Sequence, residues 1–183
     1  MIDVIKNKDK ILLLLSTTRR KGMPKFIEWL VSTDFFVAPA SAKFHLNVEG
    51  GLAFHSLSVY TALDKLIKTF WKGKYIHPST RIIVALLHDL CKIGIYHKNP
   101  KGSEWEYKRD DYFPVGHGDK SAILILQHGL ELTTQEVALI RWHMGMYDQA
   151  YYRNSNDIRD KFPEAKLLYF ADDISTQYLE GEE

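Results

Sequence analysis

Residues 78–94, with the sequence PSTRIIVALLHDLCKIG, contain the pattern that decides the fold. The Pro-Ser-Thr triplet at 78–80 predicts the start of a helix. The six residues at 82–87 are apolar on every side, which is typical of a helix buried at the centre of a bundle. This helix ends in His88 and Asp89. Two adjacent ionisable groups at the end of a buried helix are costly unless they are paired or bind a metal.

Most of the remaining chain also has the periodicity of amphipathic helices. The predicted helices span residues 2–18, a segment starting at Pro24, 50–71, 118–127, 133–144 and 163–179. A turn signal between two aromatic arms predicts a small β-hairpin near 96–112. Residues 35–49 have the composition of a loop, and residues 147–162 that of a loop or a short broken helix. We expect an all-α fold, a bundle of about six to eight helices in a single domain spanning 1–183.

The composition excludes several classes of function. The chain has 24 basic and 23 acidic side chains and a formal net charge of +1, so its overall charge does not favour wrapping nucleic acid or coating an acidic membrane. Its single cysteine, Cys91, rules out an intrachain disulfide and a thiolate zinc cluster, and we interpret it as a small buried hydrophobe. The apolar run at 11–15 is too short to span a bilayer. We therefore expect a cytoplasmic protein that does not bind membranes.

Six ionisable residues recur along the chain at intervals that suit a metal site. They are His55, His88, Asp89, His117, His143 and Asp172. Each interval is roughly one helix plus a connection, so neighbouring helices of a bundle can aim these side chains at one point. Imidazole nitrogen and carboxylate oxygen suit Mn, Fe, Co, Ni or Zn. A bound divalent ion lowers the pKa of water and neutralises phosphate charge, so the pattern indicates hydrolysis of phosphate esters.

Asp172 and Asp173 compete for the last of these positions. On a helix the two side chains differ in direction by about 100°, so only one can face the site. Leu168 and Thr176 flank Asp172 on its own face, which favours Asp172 as the ligand.

Four further residues are candidates for contacts with substrate. Lys92 lies one helical turn after His88 and can hold a phosphate oxygen or protonate a leaving oxygen. Lys120 and Ser121 lie near a predicted helix start, where phosphate can bind. His45 precedes the first histidine of the set by ten residues and can reach the same pocket.

The ordered motifs resemble the HD-domain superfamily of metal-dependent phosphohydrolases. The segments that carry the resemblance are GGLAFHSLSV at 50–59, HDLCKIG at 88–94, GHGDKS at 116–121, IRWHMG at 140–145 and ADDIS at 171–175. More closely, they are similar to a bacterial and phage subgroup that includes the HD part of a 3′-to-5′ exoribonuclease. The similarity runs over residues 43–175, and we expect 1–42 to form helices packed on that core. The exoribonuclease places an OB domain ahead of its HD part. We expect no processive exonuclease action here, because this chain has no room for such a domain.

The resemblance implies an HD-domain-like helical bundle that holds one or two divalent ions, drawn from Mn, Fe, Ni, Co, Mg and Zn. His55, His88, Asp89 and Asp172 would hold the first ion. His117 and His143 would hold a second ion with Asp89 as a bridge, or would face the substrate phosphate. Both arrangements stay open at this point.

The predicted function is hydrolysis of a phosphomonoester or phosphodiester in a phosphorylated small molecule, a nucleotide or a short oligonucleotide. Metal-activated water would attack phosphorus, Lys92 would stabilise the developing negative charge, and Asp89, His117 or His143 would accept the proton. Two alternatives stay open. One is a di-iron oxygenase that uses the same residues, and the other is a non-catalytic, metal-stabilised module that binds a nucleotide for regulation. An aromatic and basic cluster at 147–153 can either stack a base or pack as part of a loop.

Overall fold

The computed structural model describes residues 2–102, 104–108 and 115–180. Its secondary structure is mostly helical, which confirms the predicted all-α class. The α-helices are α1 (Val4–Thr17), α2 (Met23–Ser32), α3 (Gly51–Phe70), α4 (Pro78–Leu87), α5 (His117–Gln127), α6 (Thr134–Arg141), α7 (Gln149–Lys161) and α8 (Ala165–Ile174). The described residues also form 3-10 helices at Leu90–Lys92 and Gly145–Tyr147, a π-helix at Ser175–Leu179, and strands β1 (Tyr96–Lys98) and β2 (Trp105–Tyr107).

Helices α3 and α4 form the centre of the fold. Helix α3 packs against α1, α4 and α8, and residues 82–87 of α4 are all buried, as their apolar sequence predicts. Helix α3 begins at a glycine pair because the preceding loop passes very close to it. A Cβ on Gly51 would lie 2.3 Å from the carbonyl oxygen of Leu46, and Gly50 has a φ of +79°, which glycine adopts without strain. The first turns of α3 therefore lie tightly against the loop at 35–49.

A buried carboxylate joins three segments on the side of the bundle formed by α1, α4 and α6. The side chain of Glu136 is fully buried and accepts hydrogen bonds from the Arg20 guanidinium at 2.7 and 2.6 Å. It also accepts one from the hydroxyl of Thr80 at 2.9 Å and one from the backbone N–H of Thr133 at 2.8 Å. The last of these belongs to the capping box that begins α6. These bonds hold the start of α4 and the start of α6 at fixed positions relative to each other.

The predicted hairpin is confirmed for its described part. Strands β1 and β2 pair antiparallel, with Tyr96 opposite Tyr107. The end of the predicted span, at 109–112, lies outside the described residues. The side-chain oxygen of Asn47 accepts a hydrogen bond from the backbone N–H of Trp105 at 2.9 Å. The hairpin is thus attached to the loop that precedes α3.

The predicted loop or broken helix at 147–162 is wrong, because α7 runs unbroken through most of it. The Asp148 side chain caps this helix by accepting a hydrogen bond from the Ala150 N–H at 2.8 Å, and Tyr151 and Ile158, two turns apart, are buried. Capping and burial on one face outweigh the low helix propensity of its Asn, Ser and Tyr residues.

Two helix ends also differ from the prediction. Helix α6 ends at Arg141, so the segment up to Met144 is not α-helical, and the last helix becomes a π-helix after Ile174. No helix in the described ranges is both long enough and apolar enough to cross a membrane.

Candidate metal centre

Four helical segments bring five of the predicted ligands to one point. His55 lies in α3, His88 and Asp89 directly follow α4, His143 follows α6, and Asp172 lies in α8. The ring centroids of His55 and His88 are 5.3 Å apart, and those of His88 and His143 are 4.9 Å apart. The cluster is deeply buried, with His55, His88 and His143 at most 1% exposed.

The three buried histidines are oriented alike. Nδ1 of His88 lies 2.8 Å from the carbonyl oxygen of Ala85, and Nδ1 of His143 lies 2.7 Å from that of Ile140. A carbonyl oxygen only accepts, so in both rings Nδ1 carries the proton and Nε2 keeps its lone pair. In His55, Nδ1 likewise lies against an acceptor, the carboxylate of Glu180. The Nε2 atoms of all three rings are buried, and none makes a well-aligned hydrogen bond to the described residues.

Two carboxylates lie opposite these nitrogen atoms. Nε2 of His55 is 3.1 Å from Oδ1 of Asp172 and 3.7 Å from Oδ2 of Asp89. Asp89 also lies 3.5 Å from Nε2 of His88 and, through its other oxygen, 3.5 Å from Nε2 of His143. Asp89 therefore contacts all three histidines, which is the position expected of a bridging ligand.

These donor atoms fit a divalent metal. The ligand atoms of His55, His88 and Asp89 lie within 4.8 Å of one another, and so do those of His88, His143 and Asp172. Three imidazole Nε2 atoms that face the cluster and two carboxylates are a donor set suited to first-row transition metals once the rings are deprotonated. Asp173 lines the adjacent cavity but belongs to none of these groups, so the geometry favours Asp172, as the sequence predicts.

Neighbouring charges and burial together set the pKa values of this cluster in the metal-free protein. Burial by itself lowers the pKa of His55, but the carboxylates of Asp172 and Glu180 outweigh it and raise this pKa to about 10. Burial lowers the pKa of His88 to about 4. Burial raises the pKa of Asp89, but Lys92 and the neighbouring histidines reverse this and bring it well below its usual value. The centre therefore contains an ionised carboxylate, a neutral His88 and a protonated His55 at neutral pH.

Lys92 supplies a cation at the edge of this cluster. The ammonium nitrogen of Lys92 lies 2.7 Å from Oδ2 of Asp89. Burial lowers the pKa of Lys92, but the Asp89 carboxylate raises it by more, so the ammonium group stays charged. The neighbouring Cys91 is inert as a nucleophile, because burial raises the pKa of its thiol to about 12. Its backbone N–H donates to the hydroxyl of Ser121 at 3.0 Å.

His117 stands apart from the buried cluster. It is the first residue of α5 and is exposed, and its ligand atom lies within 4.8 Å of those of Asp89 and Cys91. Helix α5 approaches the end of α6 closely at Gly118, where a Cβ would lie 2.3 Å from the carbonyl oxygen of Arg141. The structure thus places His117 beside Asp89 but not within the group formed by His143.

A cavity of about 440 Å³ opens above the cluster, a volume typical of sites for small molecules. Asp89, Lys92 and Asp172 lie along it together with His45 and His117, and its other walls include Phe44, Tyr96, Met144, Tyr147 and Tyr169.

The other sequence candidates are placed differently. His45 lines this cavity, whereas Lys120 and Ser121 are buried and are not among the described residues that line it. Of the aromatic cluster at 147–153, Tyr147 lines the cavity, while Tyr151 is buried with its ring near that of Trp142.

Comparison with known families agrees with this geometry. The sequence profile of the HD domain matches residues 52–177, more than half of the chain. The chain belongs to the HD domain family. HD domains bind divalent metals, and membership indicates a family of metal-dependent phosphohydrolases. No curated protein and no solved structure gives a significant match.

Sequence analysis missed one residue at this site. Glu180 is buried, and its carboxylate oxygens lie 3.0 and 3.1 Å from Nδ1 of His55. No motif contains it, since it follows the last recognisable segment at 171–175. Glu180 directly follows the last predicted helix as the first of three glutamates in the sequence EGEE, and glutamates in such a position are usually exposed.

Proposed function

We propose that the chain is a metal-dependent phosphohydrolase acting on a phosphomonoester or phosphodiester. The observation that carries the proposal is the convergence of three buried histidine Nε2 atoms and two carboxylates beside an open cavity. His55, His88, Asp89 and Asp172 would hold one ion, while His117 and His143 would hold a second together with Asp89 or would face the substrate phosphate. When bound, a divalent ion lowers the pKa of water and neutralises charge on phosphate.

The proposed substrate is a nucleotide or a short oligonucleotide. The cavity has an ionic end, formed by Asp89, Lys92 and Asp172, and walls that include three tyrosines and Phe44. Aromatic side chains stack on bases of any identity, while the ionic end suits a phosphate. The resemblance of the motifs to the bacterial and phage subgroup that includes an exoribonuclease supports the same choice. A cytoplasmic location belongs to this proposal and agrees with a single buried cysteine.

Four side chains have roles in this proposal. Lys92 lines the cavity and can donate to a non-bridging phosphate oxygen while it remains paired with Asp89. His117 lines the cavity, and partial desolvation lowers the pKa of its ring, which favours the neutral form that can accept a proton. Asp89 would hold the metal and lies 3.5 Å, through Oδ1, from Nε2 of His143. His45, which also lines the cavity, would contact the substrate.

The test is hydrolysis of bis- and mono-p-nitrophenyl phosphate, nucleoside monophosphates and a dinucleotide, each with Mn, Ni, Co and Mg. We expect turnover that depends on the metal and a lower KM for the nucleotides than for the nitrophenyl esters. Lys92→Gln should reduce kcat about 100-fold, the usual cost of removing one group that stabilises the transition state. Lys65→Gln, which changes an exposed lysine of α3, is the matched control. Turnover unaffected by Lys92→Gln would contradict its assigned role.

The same preparation separates the two alternatives. Two bound irons with substrate-dependent uptake of oxygen would indicate an oxygenase. Bound metal and tight nucleotide binding without turnover of any ester would indicate a regulatory module.

A further inference from the structure

Glu180 is a buried acid at the candidate metal centre that lies outside the motifs quoted for the family. Its side chain is fully buried, and both carboxylate oxygens lie within hydrogen-bonding distance of Nδ1 of His55. The profile match ends at residue 177, so Glu180 lies beyond the part of the chain that defines the family. A buried carboxylate is costly unless it is paired, and this one is aimed at a residue of the candidate metal centre.

A local change of helix type immediately precedes Glu180. After Asp172 and the end of α8, residues Ser175–Leu179 form a π-helix, and the backbone N–H of Glu180 donates to the carbonyl oxygen of Ser175 at 3.1 Å. The carboxylates of Asp172 and Glu180 contact the two different nitrogen atoms of the same His55 ring. Single π-helical turns within α-helices are frequent at functional sites.

The bond to Glu180 determines which nitrogen of His55 faces the centre. A carboxylate only accepts hydrogen bonds, so the proton on Nδ1 is held by Glu180 and Nε2 is left for a metal. In His88 and His143 the Nδ1 proton is held by a neutral backbone carbonyl, whereas in His55 it is held by a charged carboxylate. A carboxylate behind a ligating histidine fixes the ring and increases its basicity as a donor.

We propose that Glu180 is a positioning residue that holds His55 with Nε2 toward the metal and strengthens it as a ligand; this rests on the proposed metal site. His45 belongs to the same arrangement. Its Nε2 lies 3.6 Å from Oε2 of Glu180, and its ring centroid lies 5.1 Å from that of His55. Because His45 also lines the cavity, it joins the carboxylate to the place where substrate would bind.

A competing interpretation is a separate metal site made of His45, His55 and Glu180, whose ligand atoms also lie within 4.8 Å of one another. That site would require Nδ1 of His55 as a ligand. The 3.0 Å approach of Glu180 to the same nitrogen is a hydrogen-bonding distance, and it favours the positioning role.

The test is Zn²⁺ affinity and stoichiometry, measured by competition with a chromophoric chelator on the full chain. We expect Glu180→Ala to weaken Zn²⁺ binding about 10- to 100-fold without changing the number of ions bound. Glu180→Gln should lose less, since its amide oxygen still accepts from Nδ1. The control is Glu28→Ala, at an exposed carboxylate of α2. Circular dichroism of each metal-free variant checks that it is folded.

A second readout follows the proton itself. In the Zn²⁺-loaded protein labelled with ¹⁵N-histidine, His55 should be protonated at Nδ1 in the wild type and in Glu180→Gln. Wild-type affinity in Glu180→Ala, or His55 protonated at Nε2, would overturn the proposal. Loss of one bound ion per chain in Glu180→Ala would overturn it in favour of the separate site. Absence of Zn²⁺ binding by the wild type would instead refute the proposed function on which it rests.

Discussion

The affinity of this chain for a divalent metal should depend steeply on pH above neutrality. In the metal-free protein the carboxylates of Asp172 and Glu180 overcome the effect of burial and raise the pKa of His55 to about 10. The ring is therefore protonated on both nitrogens between pH 7 and 9, and a metal must displace the proton on Nε2. His88 releases none in this range, because burial lowers its pKa to about 4.

The expected magnitude follows from this single proton. Below pH 10 each unit of pH should change the apparent Kd about tenfold, equivalent to about 1.4 kcal/mol, so affinity should increase about 100-fold from pH 7 to pH 9. The pKa of His143 is also raised, because Asp89 outweighs burial, and its titration can only add to the slope. Glu180→Gln removes one carboxylate from His55 and should make the dependence shallower.

Isothermal titration calorimetry in buffers of different ionisation enthalpy measures both quantities. We expect about one proton released per ion bound at pH 8, or more if His143 contributes, and a rising affinity with pH. An affinity that is flat from pH 7 to pH 9, with no proton released, would refute the assignment of His55 as a charged group that must be neutralised by metal binding.

Three substitutions test other parts of the structure. Asp172→Asn should weaken metal binding by at least about 100-fold, which is more than the loss of a group outside the ligand shell costs. Asp173→Asn should leave metal affinity unchanged. Equal losses of metal affinity in the two variants, measured by equilibrium dialysis, would contradict the assignment of Asp172 as the ligand. Arg20→Ala should lower the free energy of unfolding of the metal-free protein by about 3 kcal/mol, because it leaves Glu136 buried without its partner; a loss in urea denaturation below about 0.5 kcal/mol would show that this pair is not structural. Gly118→Ala should lower the free energy of unfolding by about 1–3 kcal/mol, because the added Cβ would lie 2.3 Å from the carbonyl oxygen of Arg141. An unchanged midpoint of urea denaturation would show that α5 can move away from α6.

The central features of the site could be predicted from the sequence because they depend on residue type and order. An apolar run that ends in His88 and Asp89 indicates a buried helix with a polar end. Histidines one helix apart indicate convergence, and both features are present in the structure. The choice of Asp172 over Asp173 also followed from helical geometry.

Features that depend on backbone detail could not be predicted. Glu180 contacts His55 directly after the π-helix at Ser175–Leu179, and no periodicity in the sequence predicts this turn. Ser121 was expected to contact phosphate, whereas its buried hydroxyl accepts from the N–H of Cys91. Helix α7 was missed because two buried residues and one capping aspartate outweigh a polar composition, a balance that depends on tertiary packing.

The central claim is that this chain holds a divalent metal at the His/Asp cluster and uses it to hydrolyse phosphate esters. The most direct measurement is elemental analysis of protein purified without chelator, combined with hydrolysis of bis-p-nitrophenyl phosphate by the wild type and by His88→Ala. We predict at least one bound transition-metal ion per wild-type chain and metal-dependent hydrolysis, both lost in His88→Ala. No bound metal and no hydrolysis with added Mn, Ni, Co or Mg, or full metal-dependent hydrolysis by His88→Ala, would contradict the claim.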